Sequence, residues 1–185
     1  DDDIYSLTIR PKGYTKSQIT DALDRGEKYL KEHLVAKNKS INDGKPLISI
    51  ITGYYNCKNY IRQTANSIIN QTFPYWEWII ADDGSTQEEA LDYLKQVEKM
   101  DNRIKVYHKE NEGLAKGRDY AIKYSNTKYI LPLDADDLIE PTYIETLYWT
   151  METNKEASWA FTNSVGFGKY IYLVDHKFNS EKMKA

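Results

Sequence analysis

Pro46-Leu47-Ile48-Ser49-Ile50-Ile51-Thr52-Gly53-Tyr54-Tyr55-Asn56 is the stretch that decides the fold. Residues 47–51 are rich in β-branched side chains and apolar on both faces, which suits a strand buried on both sides of a parallel sheet. A polar cluster, Thr52-Gly53-Tyr54-Tyr55-Asn56, follows at once. Downstream the same unit recurs. Residues 76–81 read as a second strand running into Asp82-Asp83-Gly84-Ser85, residues 104–107 as a third, and residues 129–133 as a fourth running into Asp134-Ala135-Asp136-Asp137. Helical spacing separates them: Ile61, Ala65, Ile68 and Ile69 before a break at Phe73-Pro74; Ala90, Leu91, Leu94 and Val97; then Leu114, Ala121 and Ile122 after Gly113. Pro141 suits the first turn of a further helix carrying Ile144, Leu147, Tyr148 and Met151. Residues 158–162 are expected as a fifth strand and residues 169–174 as another, antiparallel one.

Strand–helix alternation of this kind implies an α/β fold with a mostly parallel sheet flanked by helices. Ligands of such sheets bind beyond the carboxyl ends of the strands. The polar clusters sit at those ends. Residues 1–45 differ: Thr15 and Gln18 fit a capping box, and Ile19, Leu23, Leu30 and Leu34 give a helical stripe before a polar linker. The expected organisation is an N-terminal helical extension over 1–45 and a ligand-binding domain over 46–185.

Composition narrows the function. A net charge of -3 argues against a broad electrostatic grip on nucleic acid. One cysteine, Cys57, excludes an internal disulfide or a cysteine-based zinc site. There is no long apolar span, and no basic-then-apolar leader, so the cytoplasm is the expected compartment, with peripheral membrane association of a longer parent left open. The start at Asp1-Asp2-Asp3 without Met reads as an excised piece.

Asp134, Asp136 and Asp137 gather three carboxylates in four residues. Without a counterion they repel or stay partly protonated. A divalent cation removes that conflict, and oxygen ligands suit Mg²⁺ or Mn²⁺, which share substrate phosphates. Capping of the next helix explains one of these residues but not all. Asp82-Asp83-Gly84-Ser85 reads as a turn with an N-cap at Ser85 or Thr86; at a strand end, one Asp could also accept from a base or a ribose. Thr52, Tyr54 and Tyr55 could supply a hydroxyl and a stacking face, or one tyrosine could pack inside while the other is exposed. Lys116 and Arg118 could meet a diphosphate or a base, or form a solvated helix face. His108 and Cys57 read as packing or surface residues. No GxGxxG or GxxxxGK[ST] is present, and none of the 3 His has HExxH spacing. A phosphatase of the haloacid-dehalogenase type would carry its DxD after the first strand, not the fourth.

The opening stretch, Ser67-Ile68-Ile69-Asn70-Gln71-Thr72-Phe73-Pro74, Ala81-Asp82-Asp83-Gly84-Ser85, Asn111-Glu112-Gly113, Lys116-Gly117-Arg118 and Leu133-Asp134-Ala135-Asp136-Asp137 occur in that order. Together they resemble the family 2 glycosyltransferases of GT-A fold, over roughly residues 46 to 175. The resemblance implies a Rossmann-like sheet and transfer of a sugar, with inversion, from a nucleotide-diphosphate donor, usually UDP-linked, to an acceptor hydroxyl. It implies Thr52 and Tyr54 at the base, Asp83 accepting from the uracil ring N–H, and Lys116 and Arg118 at the base or diphosphate. Asp136 takes the DxD role with Asp134 and Asp137 beside it, Asp136 and Asp137 holding Mn²⁺ or Mg²⁺. The acceptor would be a glycan, a lipid-linked sugar or a protein. Gly53 stands where Pro is usual and Asp119 where Asn is common. The downstream Gly-Gly-Phe and Glu-Asp patterns are missing, and after Lys169 only Asp175 and Glu181 remain as carboxylates, so the catalytic base is expected outside this chain and the chain reads as the donor-binding half. The alternative is a non-catalytic nucleotide-sugar-binding module.

Overall fold

The computed structural model describes residues 44–166 and 172–174. The helix expected within 1–45, and Asp175 and Glu181, lie outside the described residues. Strands β1 (Ile48–Tyr54), β2 (Trp76–Asp83), β3 (Ile104–Lys109) and β4 (Tyr129–Pro132) form one sheet, all parallel, in the order β3-β2-β1-β4. Helices α1 (Tyr60–Ile69), α2 (Glu88–Glu98) and α3 (Leu114–Ile122) connect them. Winding proceeds from β1 through β2 to β3, then returns to the other side of β1 for β4. The crevice between the carboxyl ends of β1 and β4 is therefore the topological switch point, where ligands of open α/β sheets bind.

Every residue of β1 is buried, as a central strand between β2 and β4 requires. Ile51, Ile79, Ala81 and Ala121 form the core beneath α3, with Tyr107 and Tyr120 packed against it. Alternation turns Ile50, Thr52, Tyr54, Trp78 and Ile80 to the opposite face. Trp76 and Trp78 are the largest fully buried side chains; truncating either to Ala costs about 3–5 kcal/mol. Helix α1 buries Ile61, Thr64, Ala65 and Ile68, and α2 buries Ala90, Leu94 and Val97. The α2 N-terminus lacks a cap from its own Gln87; Asn56 Oδ1 accepts instead from the amides of Thr86 and Gln87, both at 3.1 Å. Asn56 holds φ 51°, a left-handed conformation that Asn tolerates.

Two sequence expectations change. β1 runs to Tyr54 and β2 to Asp83, so Thr52, Tyr54, Asp82 and Asp83 are strand residues, not loop residues. Residues 158–162 form no strand; Trp159 and Phe161 stack there at 5.1 Å, both exposed. Helix α4 (Tyr143–Thr153) begins two residues after Pro141, whose carbonyl accepts from Thr72 N at 2.8 Å. One compact unit ends at Glu145 and a second begins at Thr146. The second holds β5 (Ser164–Gly166) and β6 (Tyr172–Val174), paired antiparallel as expected of the last strand. Among the described residues no helix is long and apolar enough to cross a membrane.

Candidate functional site

Parallel register sets the first half of the site. Asp82 and Asp83, at the end of β2, lie opposite His108 and Lys109, at the end of β3. Alternation separates the two pairs onto opposite faces. Asp82 Oδ2 meets His108 Nδ1 at 2.8 Å, and its Oδ1 accepts from Ser85 N at 3.0 Å, which fixes the turn after β2. Asp83 lies on the α3 face. Its Oδ1 accepts from Lys109 Nζ at 2.6 Å and from Glu112 N at 3.0 Å; its Oδ2 accepts from Gly113 N at 2.7 Å. Its carbonyl accepts from Asn111 Nδ2 at 2.8 Å. Burial alone would raise the Asp83 carboxyl, but the Lys109 ammonium and the two amides outweigh it and hold the group below the usual aspartate range. A carboxylate offers about four acceptor sites, so one is left, on Oδ2.

Helix α3 closes over this carboxylate because small residues let it approach. A Cβ on Gly117 would lie 3.7 Å from Asp83 Cβ and 3.9 Å from Gly53 Cα. A Cβ on Gly53 would lie 3.4 Å from the Leu114 carbonyl and 3.7 Å from Arg118 Cγ. Arg118, one residue after Gly117, pairs with Asp134 at the switch point, and its Nε is buried without a hydrogen-bond partner. α3 thus links Asp83 at the end of β2 to the acidic residues beyond β4.

The strand does not continue through those acidic residues. β4 ends at Pro132, and Asp137 N donates to Asp134 O at 3.2 Å, closing a turn. Asp134 is half-buried; Asp136 and Asp137 are exposed. Loss of water around the Asp137 carboxyl, and then the charges of Asp134 and Asp136, push it above the usual range; Arg118 opposes them. Partial burial, then the charges of Asp136 and Asp134, push the Cys57 thiol up to about 11, which places this half-buried thiol in the same field. The exposed carboxylates of Asp136 and Asp137, beside an Asp134 already paired with Arg118, fit a hard divalent cation. Among the described residues no three His, Cys, Asp or Glu side chains converge as a complete cage, so such an ion would need water and phosphate oxygens as further ligands.

Three expected ligand residues, Thr52, Tyr54 and Lys116, are engaged by other groups of the protein. Thr52 is fully buried: its hydroxyl donates to Leu133 O at 2.7 Å and accepts from Trp78 Nε1 at 2.8 Å. Tyr54 is 1% exposed, and its hydroxyl donates to Ala90 O at 3.0 Å. Because β1 extends to Tyr54, alternation turns both side chains inward. Tyr55 is the tyrosine left outside, 51% exposed. Lys116 is exposed and engaged by Glu112 at 3.0 Å, and Glu112 also reaches Lys109 at 3.0 Å. Asp83, Arg118, Asp134, Asp136 and Asp137 are the expected residues that share one rim of the sheet. Lys109 escaped the sequence reading; its signal is the Asp-Asp end of one strand meeting the His-Lys end of the next in parallel register.

A parallel sheet of this order, flanked by helices, is similar to solved glycosyltransferase structures of the GT-A fold. The chain belongs to the glycosyl transferase family 2, whose profile matches residues 49–182. It is 41% identical over 119 residues to the TuaG glycosyltransferase of Bacillus subtilis (strain 168), whose name connects it with teichuronic acid biosynthesis; this covers 64% of this chain and 46% of that one. It is 29% identical over 164 residues to a hyaluronan synthase of Pasteurella multocida, covering 89% of this chain and 17% of that one. The structure of S. aureus TarS 1-349 in complex with UDP aligns with a TM-score of 0.50 and 27% identity, covering 58% of this chain and 32% of that one. The chain therefore spans less than half the length of these relatives. The α/β, GT-A-like fold expected from the sequence is the fold found.

Proposed function

We propose that this chain is the donor-binding part of an inverting, metal-dependent glycosyltransferase that takes its sugar from a UDP-sugar. The observation that carries the reading is the convergence of Asp83, Arg118 and the acidic turn of Asp134, Asp136 and Asp137 at the switch point of the sheet. The UDP in the TarS complex supports the choice of nucleotide.

In this reading the free acceptor site on Asp83 Oδ2 takes the ring N–H of uracil, and Tyr55 offers its exposed face to the base. Arg118, with an unused buried N–H, moves between Asp134 and the nucleotide. Asp134 faces the ribose, and Asp136 and Asp137 hold Mn²⁺ or Mg²⁺. Such an ion, held by Asp136 and Asp137, would supply stabilisation of charge on the departing diphosphate. In the transfer step the acceptor oxygen bonds to the anomeric carbon as the carbon–phosphate-oxygen bond breaks. The acceptor proton passes to a base that we place outside the described residues. The names of TuaG and the hyaluronan synthase support a growing polysaccharide as the acceptor.

The test is calorimetric titration of the chain with UDP, GDP and dTDP in the presence of Mn²⁺. UDP is expected to bind at least tenfold more tightly than GDP. Equal affinity for UDP and GDP, or no binding of either, contradicts the reading.

A further inference from the structure

The acidic turn is gripped from beneath by hydroxyl and amide side chains that touch its backbone and none of its carboxylates. Leu133 N donates to Ile51 O at 3.0 Å, and Leu133 O accepts from the Thr52 hydroxyl at 2.7 Å. Two residues on, Ala135 O accepts from the Thr64 hydroxyl at 2.9 Å. The intervening Asp134 O is taken by Asp137 N. Each of the first three carbonyls of the turn thus has its own donor. Further along, Gln71 Nε2 donates to Glu140 O at 2.6 Å while Gln71 Oε1 accepts from Ile144 N at 3.0 Å. Ser67 Oγ accepts from Ile139 N at 3.4 Å.

Thr64 and Ser67, three residues apart on α1, and Gln71, two residues past its end, form one polar stripe. That face is otherwise apolar, carrying Ile61, Ala65 and Ile68. Thr52 and Thr64 are both 0% exposed, and Gln71 is 8% exposed. A hydroxyl buried at such a place costs desolvation that valine, of the same shape, would not. Bonds back to the helix (Thr64 Oγ1 to Tyr60 O at 3.4 Å, Ser67 Oγ to Thr64 O at 2.8 Å, Gln71 Nε2 to Ser67 O at 3.0 Å) account for part of this stripe but not for its contacts across to the next segment. There the Thr64 hydroxyl binds the peptide carbonyl between Asp134 and Asp136, and the Thr52 hydroxyl, itself held by Trp78 Nε1, binds the carbonyl before Asp134. These contacts fix where the acidic side chains leave the backbone.

We propose that Thr64 of α1, Gln71 just beyond its end and Thr52 of β1 are positioning residues that set the geometry of the Asp134, Asp136 and Asp137 turn for its metal-dependent grip on the diphosphate. This inference rests on the donor-site reading above. Groups of this kind, one shell away from a metal site, typically change metal-linked affinity 10–100-fold when removed.

The test uses Thr64→Val, which keeps the shape and removes the donor. UDP affinity is measured by calorimetry with Mn²⁺ and with EDTA, alongside the thermal midpoint. The Mn²⁺-dependent gain in UDP affinity is expected to fall about tenfold while affinity in EDTA stays within about twofold, and Thr64→Ser is expected to restore the gain. Gln71→Met, which keeps the volume and drops the contacts to Glu140 and Ile144, should shift the same ratio in the same direction and serves if Thr64→Val does not fold. An unchanged ratio in folded variants, or equal losses with and without Mn²⁺, overturns the positioning role. A wild-type chain that binds UDP equally with Mn²⁺ and with EDTA overturns the donor-site reading instead, and this inference with it.

Discussion

Lys109 Nζ lies 2.6 Å from Asp83 Oδ1, and the two residues are register partners on adjacent parallel strands. The side chains are 9% and 4% exposed, so this is a buried ion pair and not a surface contact. Its effect on Asp83 is a carboxyl held low; its effect on Lys109, together with Glu112, is an ammonium held high against burial. Lys109→Met leaves the Asp83 charge buried with two amide donors only. The expected outcome is a thermal midpoint lower by several degrees at pH 7 and a UDP affinity reduced about tenfold, with Lys109→Arg partly restoring both.

The same pair fixes a pH dependence. A folded carboxyl below its unfolded value of about 3.9 contributes stability that is complete above that pH and lost as pH falls through the folded value. Asp83→Asn should therefore lower stability at pH 6 and flatten the acid limb below about pH 4 in urea melts measured across pH. An acid limb identical to wild type would show that Asp83 is not held low.

Gly84 has φ 75°, and a Cβ there would lie 2.9 Å from Asn111 N. That backbone amide belongs to the segment whose next two residues donate to Asp83. Gly84→Ala combines left-handed strain of about 1–2 kcal/mol with displacement of that segment. Both a lower unfolding midpoint in urea and weaker UDP binding are expected; full affinity at reduced stability would separate the turn from the site.

Adjacent tyrosines should behave oppositely. Tyr54→Phe removes the bond to Ala90 O and should cost about 1 kcal/mol of stability, with UDP affinity unchanged. Tyr55→Ala removes an exposed ring and should leave stability unchanged while weakening UDP binding about tenfold, the scale of one base–aromatic stack. Comparison of melts and titrations for the two variants checks both halves.

Periodicity made the sheet legible. Apolar runs at Ile48, Trp78, Ile104 and Leu131, separated by helical spacing, are sufficient for four parallel strands and place the polar clusters at one end. The same reasoning lost accuracy where a strand runs on into its cluster. Ending β1 at Ile51 hides the alternation that sends Thr52 and Tyr54 inward and Tyr55 out. The acidic turn was visible as three clustered carboxylates, and Asp83 as an acidic strand end whose role came from the family resemblance. Lys109 and Thr64 were not, because their meaning depends on partners 26 and 71 residues away. Ser67 to Thr72 carried a recognisable pattern but no visible chemistry, since Ser67, Gln71 and Thr72 bind backbone groups of a segment that only the fold brings near.

The central claim is that Asp136 supports a metal-dependent UDP site. Its most direct test is UDP titration of the wild-type chain and Asp136→Ala, each with Mn²⁺ and with EDTA. Mn²⁺ is expected to tighten UDP binding to the wild type by at least tenfold and to leave the Asp136→Ala affinity at the EDTA level. A variant that retains the full Mn²⁺-dependent gain would contradict it.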